Sequence, residues 1–194
     1  LLHADPGLAK LPRAGIVHRL DKDTSGLLVV ARTPNAHAKL TRALEKRDVS
    51  REYEAVCIGV MTGGGTVDAP LDRHPVDRLR QAVRADGREA ITHYRVAERF
   101  RAHTHVRVQL ETGRTHQIRV HLAHVGYPLV GDGLYGKRLV IPKASTPRLA
   151  ETLRGFRRQA LHAARLAFEH PDTGEPLELE APLPPDFADL LDAL

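Results

Sequence analysis

The 194-residue chain is poor in sulfur and in aromatic rings: one Cys, one Met, no Trp, four Tyr and four Phe. A single thiol, Cys57, excludes a disulfide framework and any cysteine-based zinc site. No apolar run reaches the ~18 residues of a transmembrane helix, and the opening LLHADPGLAKLPRAG carries no signal-peptide pattern. These absences predict a cytoplasmic protein. The lone methionine is Met61, so the chain opens without an initiator, which predicts a processed or truncated N-terminus. Lysine is scarce as well, with 6 Lys against 23 Arg inside a formal charge of +5. That total permits a polyanionic partner without requiring one. Arginine's planar fork suits phosphate and base edges, but GC-rich coding also inflates Arg, so placement carries the argument. A chain of this length fits one large domain and can bury roughly 70% of its unfolded surface without a staple.

What is present reads as strands with helices between them. Ile16–Val17 and Leu27–Ala31 look like strand pieces around a turn at 21–26. Thr33-Pro34 opens a helix, with Thr at the cap and Pro in the first turn. Arg51–Val60 reads as a strand, and Gly63-Gly64-Gly65 as a loop. Thr92–Phe100 and His103–Glu111 form a hairpin, with Val106, Val108 and Leu110 alternating against Arg107 and Gln109. Thr115–Val125 is helical, and Gly126 and Pro128 stop it. A loop over 137–147 precedes a helix over 148–158. Leu161–Glu169 and Pro176–Ala181 pair around Asp172-Thr173-Gly174, and Pro184-Pro185 starts a terminal helix. This order predicts an α+β fold with a mixed, mostly antiparallel sheet and flanking helices.

Polar side chains interrupt that pattern in four places. His18-Arg19-Leu20-Asp21-Lys22-Asp23-Thr24-Ser25-Gly26 is more polar than a turn requires. A carboxylate between Arg19 and Lys22 is favoured in its ionised form, suited to a nucleophile or a base. An ordinary Asp/Ser/Thr turn is the plainer reading. The same residues fit the D-x-D-x-T pattern of haloacid-dehalogenase-like phosphatases, but His18 and Arg19 break the apolar strand that pattern needs. Thr112–His121 ends a strand, turns at Gly113 and caps a helix at Thr115, where Arg114 and Arg119 add charge near an anion-attracting N-terminus. Here His116, His121 and His124 do not share a zinc-binding face. Tyr53, on a strand, is either core or a stacking surface. Arg73, Arg78, Arg80, Arg84 and Arg88 crowd into sixteen residues that read as a solvated or phosphate-gripping loop.

Taken in order, these motifs resemble one family, the ribosomal large-subunit pseudouridine synthases of the A/D type, and within it the D subgroup. His18–Val29 (HRLDKDTSGLLV), Arg51–Ala55 (REYEA), Thr112–His121 (TGRTHQIRVH) with Pro128–Asp132, and Ala160–Ala163 (ALHA) carry the resemblance across the chain. It implies isomerisation of uridine in a stem-loop of large-subunit ribosomal RNA, free or in the assembling subunit. Nothing is oxidised and no group leaves, so it implies no cofactor and no metal. Asp21 matches the family's essential aspartate, Arg119 its partner arginine, and Tyr53 the tyrosine that stacks on uracil. Arg19 matches the arginine that fills the place of the extruded nucleotide, and Leu161 the apolar floor of the base pocket. Arg114, His116, Arg73, Arg80 and Arg84 are expected to touch RNA. The family's upstream N-K-P-x-G strand and small N-terminal RNA-binding domain have no counterpart in residues 1–194, which resemble the catalytic domain and are expected as a monomer. A non-catalytic RNA-binding factor on the same fold is the competing reading, although such a factor has no need of Asp21, Tyr53 and Arg119 together.

Overall fold

A computed structural model describes residues 1–136 and 138–194. In chain order the elements are β1 (Ser25–Gly26), α1 (Pro34–Glu45), β2 (Ser50–Ile58), β3 (Gly65–Asp68), β4 (Leu71–Arg73), β5 (Gln81–Val83), β6 (Ile91–Arg99), β7 (His103–Leu110), α2 (Gln117–His124), α3 (Pro147–Gly155), β8 (Leu161–Glu169), β9 (Pro176–Glu180) and α4 (Pro185–Ala193). Seven strands form one sheet in the order β1-β8-β2-β7-β6-β3, with β9 also on β8, while β4 and β5 form a separate two-stranded hairpin. Every pairing in the large sheet is antiparallel except β1 with β8. The fold is therefore α+β with a mostly antiparallel sheet, as the order of hairpins and helices implied.

The period of two along β2 divides the core. Tyr53, Ala55 and Cys57 face one side and pack with Val106 and Val108 of β7, Leu161 of β8, and Ile118 and Leu122 of α2. Val56 faces the other side, where Leu149 and Leu153 of α3 and Phe187 and Leu190 of α4 cover the sheet. Helix α1 begins as expected: the Thr33 hydroxyl accepts the Ala36 N–H at 3.1 Å, and Pro34 occupies the first turn. Leu40 then buries against Ala31 and Ala36. Among the described residues no helix is long and apolar enough to cross a membrane.

Three expectations are corrected. Residues 27–31 do not form a strand beyond one antiparallel bridge, from Val30 to Ile16. Their N–H groups go to separate acceptors instead of a ladder: Leu27 to the Ala163 carbonyl, Val29 to the His18 ring and Ala31 to the Gly15 carbonyl. The pairing falls on Ser25 and Gly26, which had looked like turn. The arginine-rich stretch is not a plain loop, because Leu71–Arg73 and Gln81–Val83 pair and Leu71 also bridges Arg88. Thr115 does not cap α2, since its hydroxyl accepts from Arg19 at 3.0 Å. The cap position is His116, in the left-handed region at φ 56°, and the Gln117 side chain ties the turn by accepting the Arg114 N–H at 2.9 Å. In the expected loop at 137–147, residue 137 lies outside the described residues, and the rest up to Thr146 is irregular.

Candidate active site

The polar turn at 18–26 is held from four directions. His18 Nε2 accepts the Val29 N–H at 3.0 Å, clamping the two arms together. The Asp21 carbonyl accepts the Thr24 N–H at 3.0 Å, closing the tip. Gln159 donates to the Lys22 carbonyl at 2.7 Å and to the Thr24 hydroxyl at 2.9 Å, and Ser25 bonds the His162 ring at 2.9 Å. Gly26 lies so close to β8 that a Cβ there would sit 2.1 Å from the Ala163 carbonyl oxygen, and its φ of +105° suits glycine. The turn is thus docked on the start of β8, one strand away from Tyr53.

Asp21 stands at its tip with a side chain 11% exposed. Arg119, from the buried helix α2, approaches it at 3.5 Å, and Arg19 at 3.9 Å. Behind Arg119 lies Asp132, whose side chain is fully buried. It accepts Arg119 Nε at 2.7 Å and Nη2 at 2.9 Å, and the N–H groups of Leu134 and Tyr135 at 2.9 and 3.0 Å. Burial opposes the charge on Asp132, but these four donors outweigh it and hold the carboxyl below its ordinary range. Burial likewise opposes the charge on Arg119, and Asp132 with Asp21 more than restores it. The Tyr135 ring lies 5.0 Å from the Arg119 guanidinium, a cation–π contact. The Tyr135 hydroxyl accepts the Gln81 N–H and bonds the His116 ring, both at 2.7 Å, joining the β4–β5 hairpin to the start of α2. The arginine beside Asp21 therefore has a fixed position.

Tyr53 and Leu161 supply the apolar side of a cleft of about 1150 Å³. Burial pushes the Tyr53 phenol up to about 12, with Arg51 opposing and Asp21 reinforcing the shift, so at neutral pH it is a neutral donor. Burial, with help from the Arg51 charge, pulls His18 down to about 4. Eight arginines and five carboxylates line the cleft, leaving it net positive.

Of the residues expected to act, Asp21, Tyr53, Arg19, Leu161, Arg114, His116 and Arg73 all line this cleft. Arg119 touches Asp21 from behind. The structure does not bring Arg80 and Arg84 to the lining. Arg80 lies over the Tyr135 ring, 5.3 Å from its centroid, and Arg84 grips Asp86 with two bonds of 2.9 and 2.7 Å. His121 is fully buried between Thr92 and the Ala69 carbonyl, at 2.8 and 2.9 Å, a structural role apart from His116. Sequence reasoning did not single out Asp132, Tyr135 or Gln159. Asp132 lay within a recognised motif, but nothing local marks its side chain as the buried partner of Arg119.

Comparison with known proteins identifies the family and the fold. The family of RNA pseudouridylate synthases matches residues 4–124. The ribosomal large subunit pseudouridine synthase D of Xanthomonas campestris pv. campestris is 60% identical over 194 residues, covering all of this chain and 59% of the relative. Its namesake in Pseudomonas aeruginosa is 60% identical, covering all of this chain and 61% of the relative. The chain thus spans about 60% of the length of these curated relatives. The human RNA pseudouridylate synthase domain containing 4 superposes with a TM-score of 0.72 at 26% identity, covering 92% of this chain and 74% of that one. The human RNA pseudouridylate synthase domain containing 1 gives 0.69 at 26% identity, covering 87% and 69%. By the family match and by identity along its whole length, the chain belongs to the RNA pseudouridylate synthase family.

Proposed function

We propose that this chain is the catalytic domain of an enzyme that isomerises specific uridines to pseudouridine in large-subunit ribosomal RNA in the cytoplasm. The observation that carries the reading is Asp21, a nearly enclosed carboxylate between Arg119 and Arg19, facing Tyr53 across a net-positive cleft. The names of the 60% identical relatives supply the substrate class.

In this reading the target uridine leaves its stack and enters the cleft base first. Unstacking costs a few kcal/mol, which a stacking surface and a cation can offset. Tyr53 and Leu161 offer the apolar walls for the uracil. Arg19, with a side chain about half exposed (49%), is placed at the mouth to occupy the vacated position. Asp21 acts at the sugar, by attack on carbon or by removal of a proton. The N1–C1′ bond breaks, the uracil turns within the pocket, and C5 bonds to C1′. The proton on C5 then leaves to solvent and N1, freed from the sugar, takes one up, so composition is unchanged and no redox partner enters. Arg119, fixed by Asp132, keeps Asp21 aimed while charge moves through it. Arg73, Arg114 and His116 line the path of the RNA backbone, while Arg80 and Arg84 stay off it, on Tyr135 and Asp86.

The test uses the intact protein and large-subunit ribosomal RNA labelled with tritium at uridine C5. Tritium release and site-resolved mapping of pseudouridine are expected with wild type. Asp21→Ala should retain RNA binding and give no product; full activity in that variant overturns the assignment.

A further inference from the structure

We propose that Arg51 is a built seat for one backbone phosphate of the RNA, beside the nucleotide presented to Asp21. The proposal rests on the reading of the cleft as an RNA site and names a contact within it. Arg51 and Arg119 are the two buried arginines among the described residues. They differ in what neutralises them. Arg119 has two carboxylates. Arg51 is 6% exposed and donates only to a neutral group, the Glu111 carbonyl, at 3.1 Å. Its Nε has no partner at all. The carboxylate that could have served, Glu111, is held by Arg47 at 2.7 Å and His93 at 2.6 Å. A buried cation without an anion is unfavourable by several kcal/mol, and burial accordingly weakens its hold on its proton.

The surroundings are shaped for an anion. Arg51 lines the cleft two residues before Tyr53, on the same face of β2. That spacing is about 6.6 Å along a strand, a separation one nucleotide spans from base to phosphate. A side chain at Gly113 would place its Cβ 2.6 Å from Arg51 Nη1, so the bare backbone there makes room for the guanidinium. His18 lies close enough to feel the Arg51 charge. Because its Nε2 accepts from Val29, the ring proton of the neutral tautomer sits on Nδ1, which is buried without a partner. Two buried donors therefore stand unsatisfied on residues that line the cleft. A planar guanidinium fork matches the paired oxygens of a phosphodiester.

The experiment combines protein variants with RNA in which single phosphates near the target uridine are replaced by neutral methylphosphonates. With wild type, one replacement should weaken binding at least tenfold. With Arg51→Gln the same replacement should change binding less than twofold, because the contact is already gone, and the slope of log affinity against log salt should fall by about 0.7–0.9. Arg51→Lys, which keeps charge but loses the fork, should retain part of the penalty. Equal penalties in wild type and Arg51→Gln overturn the proposal. If Arg51→Gln does not fold, the wild-type scan still decides, since the absence of any single sensitive phosphate refutes the seat. Failure of wild type to form pseudouridine would instead refute the proposed function, and the binding cycle would still read the phosphate contact.

Discussion

Replacing Asp132 by asparagine separates the fold from the chemistry. The substitution keeps size and shape but removes the charge facing Arg119. Two of the four bonds to this carboxylate come from a guanidinium, and both partners are buried, with side chains 0% and 8% exposed. Breaking one side of such a pair costs about 3–5 kcal/mol, because the remaining charge stays buried. For a urea slope of about 2 kcal/mol/M this corresponds to a midpoint lower by roughly 1.5–2.5 M. The second consequence falls on Asp21. Two unit charges about 4 Å apart interact by about 4 kcal/mol at an effective dielectric of 20. With Asp132 neutral, Arg119 has Asp21 as its remaining anion, now 3.5 Å away. It should swing toward Asp21 and draw the carboxylate from its aim, and a displacement of about 1 Å can cost 10²-fold in rate. Asp132→Asn is therefore expected to lower kcat about 10²-fold in the tritium-release assay, with RNA affinity within about twofold of wild type. A double variant, Arg119→Met with Asp132→Asn, is the control. It removes both buried charges while the Asn oxygen still accepts the Leu134 and Tyr135 N–H groups, so it should recover most of the urea midpoint and remain inactive. A stable Asp132→Asn protein with wild-type kcat would refute the reasoning, because it would show that Arg119 does not need its buried partner.

Two other perturbations test the scaffold of the polar turn. His18 has its pKa depressed from 6.5 to about 4 in the folded chain, so the unfolded state binds the proton more readily. Its contribution to stability, about 3 kcal/mol by linkage, is complete above pH 6.5 and is lost as pH falls through 4. Urea midpoints at pH 7 and pH 4 should show this, with a smaller difference in His18→Asn; equal differences in the two proteins would contradict it. Gly26→Ala forces a Cβ against the Ala163 carbonyl at a positive φ, and a loss of about 3 kcal/mol should lower Tm by roughly 6–12 °C. An unchanged melt would mean that the turn is not docked on β8 as described.

The regular elements were legible where alternation or capping is long enough to carry a signal. Strands β6 and β7 each span eight or nine residues, and the alternation of Val106, Val108 and Leu110 marked the buried face before any contact was known. Thr33 and Pro34 marked the start of α1 in the same way. Strands β3, β4 and β5 have four, three and three residues, too few to show a period, and the arginines among them looked like solvent-facing loop. The apolar run at 27–31 failed for another reason. Every backbone donor must find a partner, but strand propensity does not say which. Here one went to an imidazole eleven residues away, a bond that depends on the pKa and tautomer of His18.

The site was legible as residue types and not as relationships. Asp21 and Arg119 are 98 positions apart, and no spacing rule links them. The resemblance named both and gave Arg19 and Arg119 separate roles, but it gave no role to Arg51. The fold separates Arg119 from Arg51 by what lies behind each one. Arg119 is saturated by Asp132, so its charge is fixed and its geometry can be imposed on Asp21. Arg51 is buried just as deeply but keeps an unpartnered Nε, so its charge can be met only from the cleft. A buried cation with a buried anion is part of the frame, and one without is a demand on the ligand. That distinction depends on which carboxylates the folded chain has already engaged, and Glu111, engaged by Arg47 and His93, settles it for Arg51.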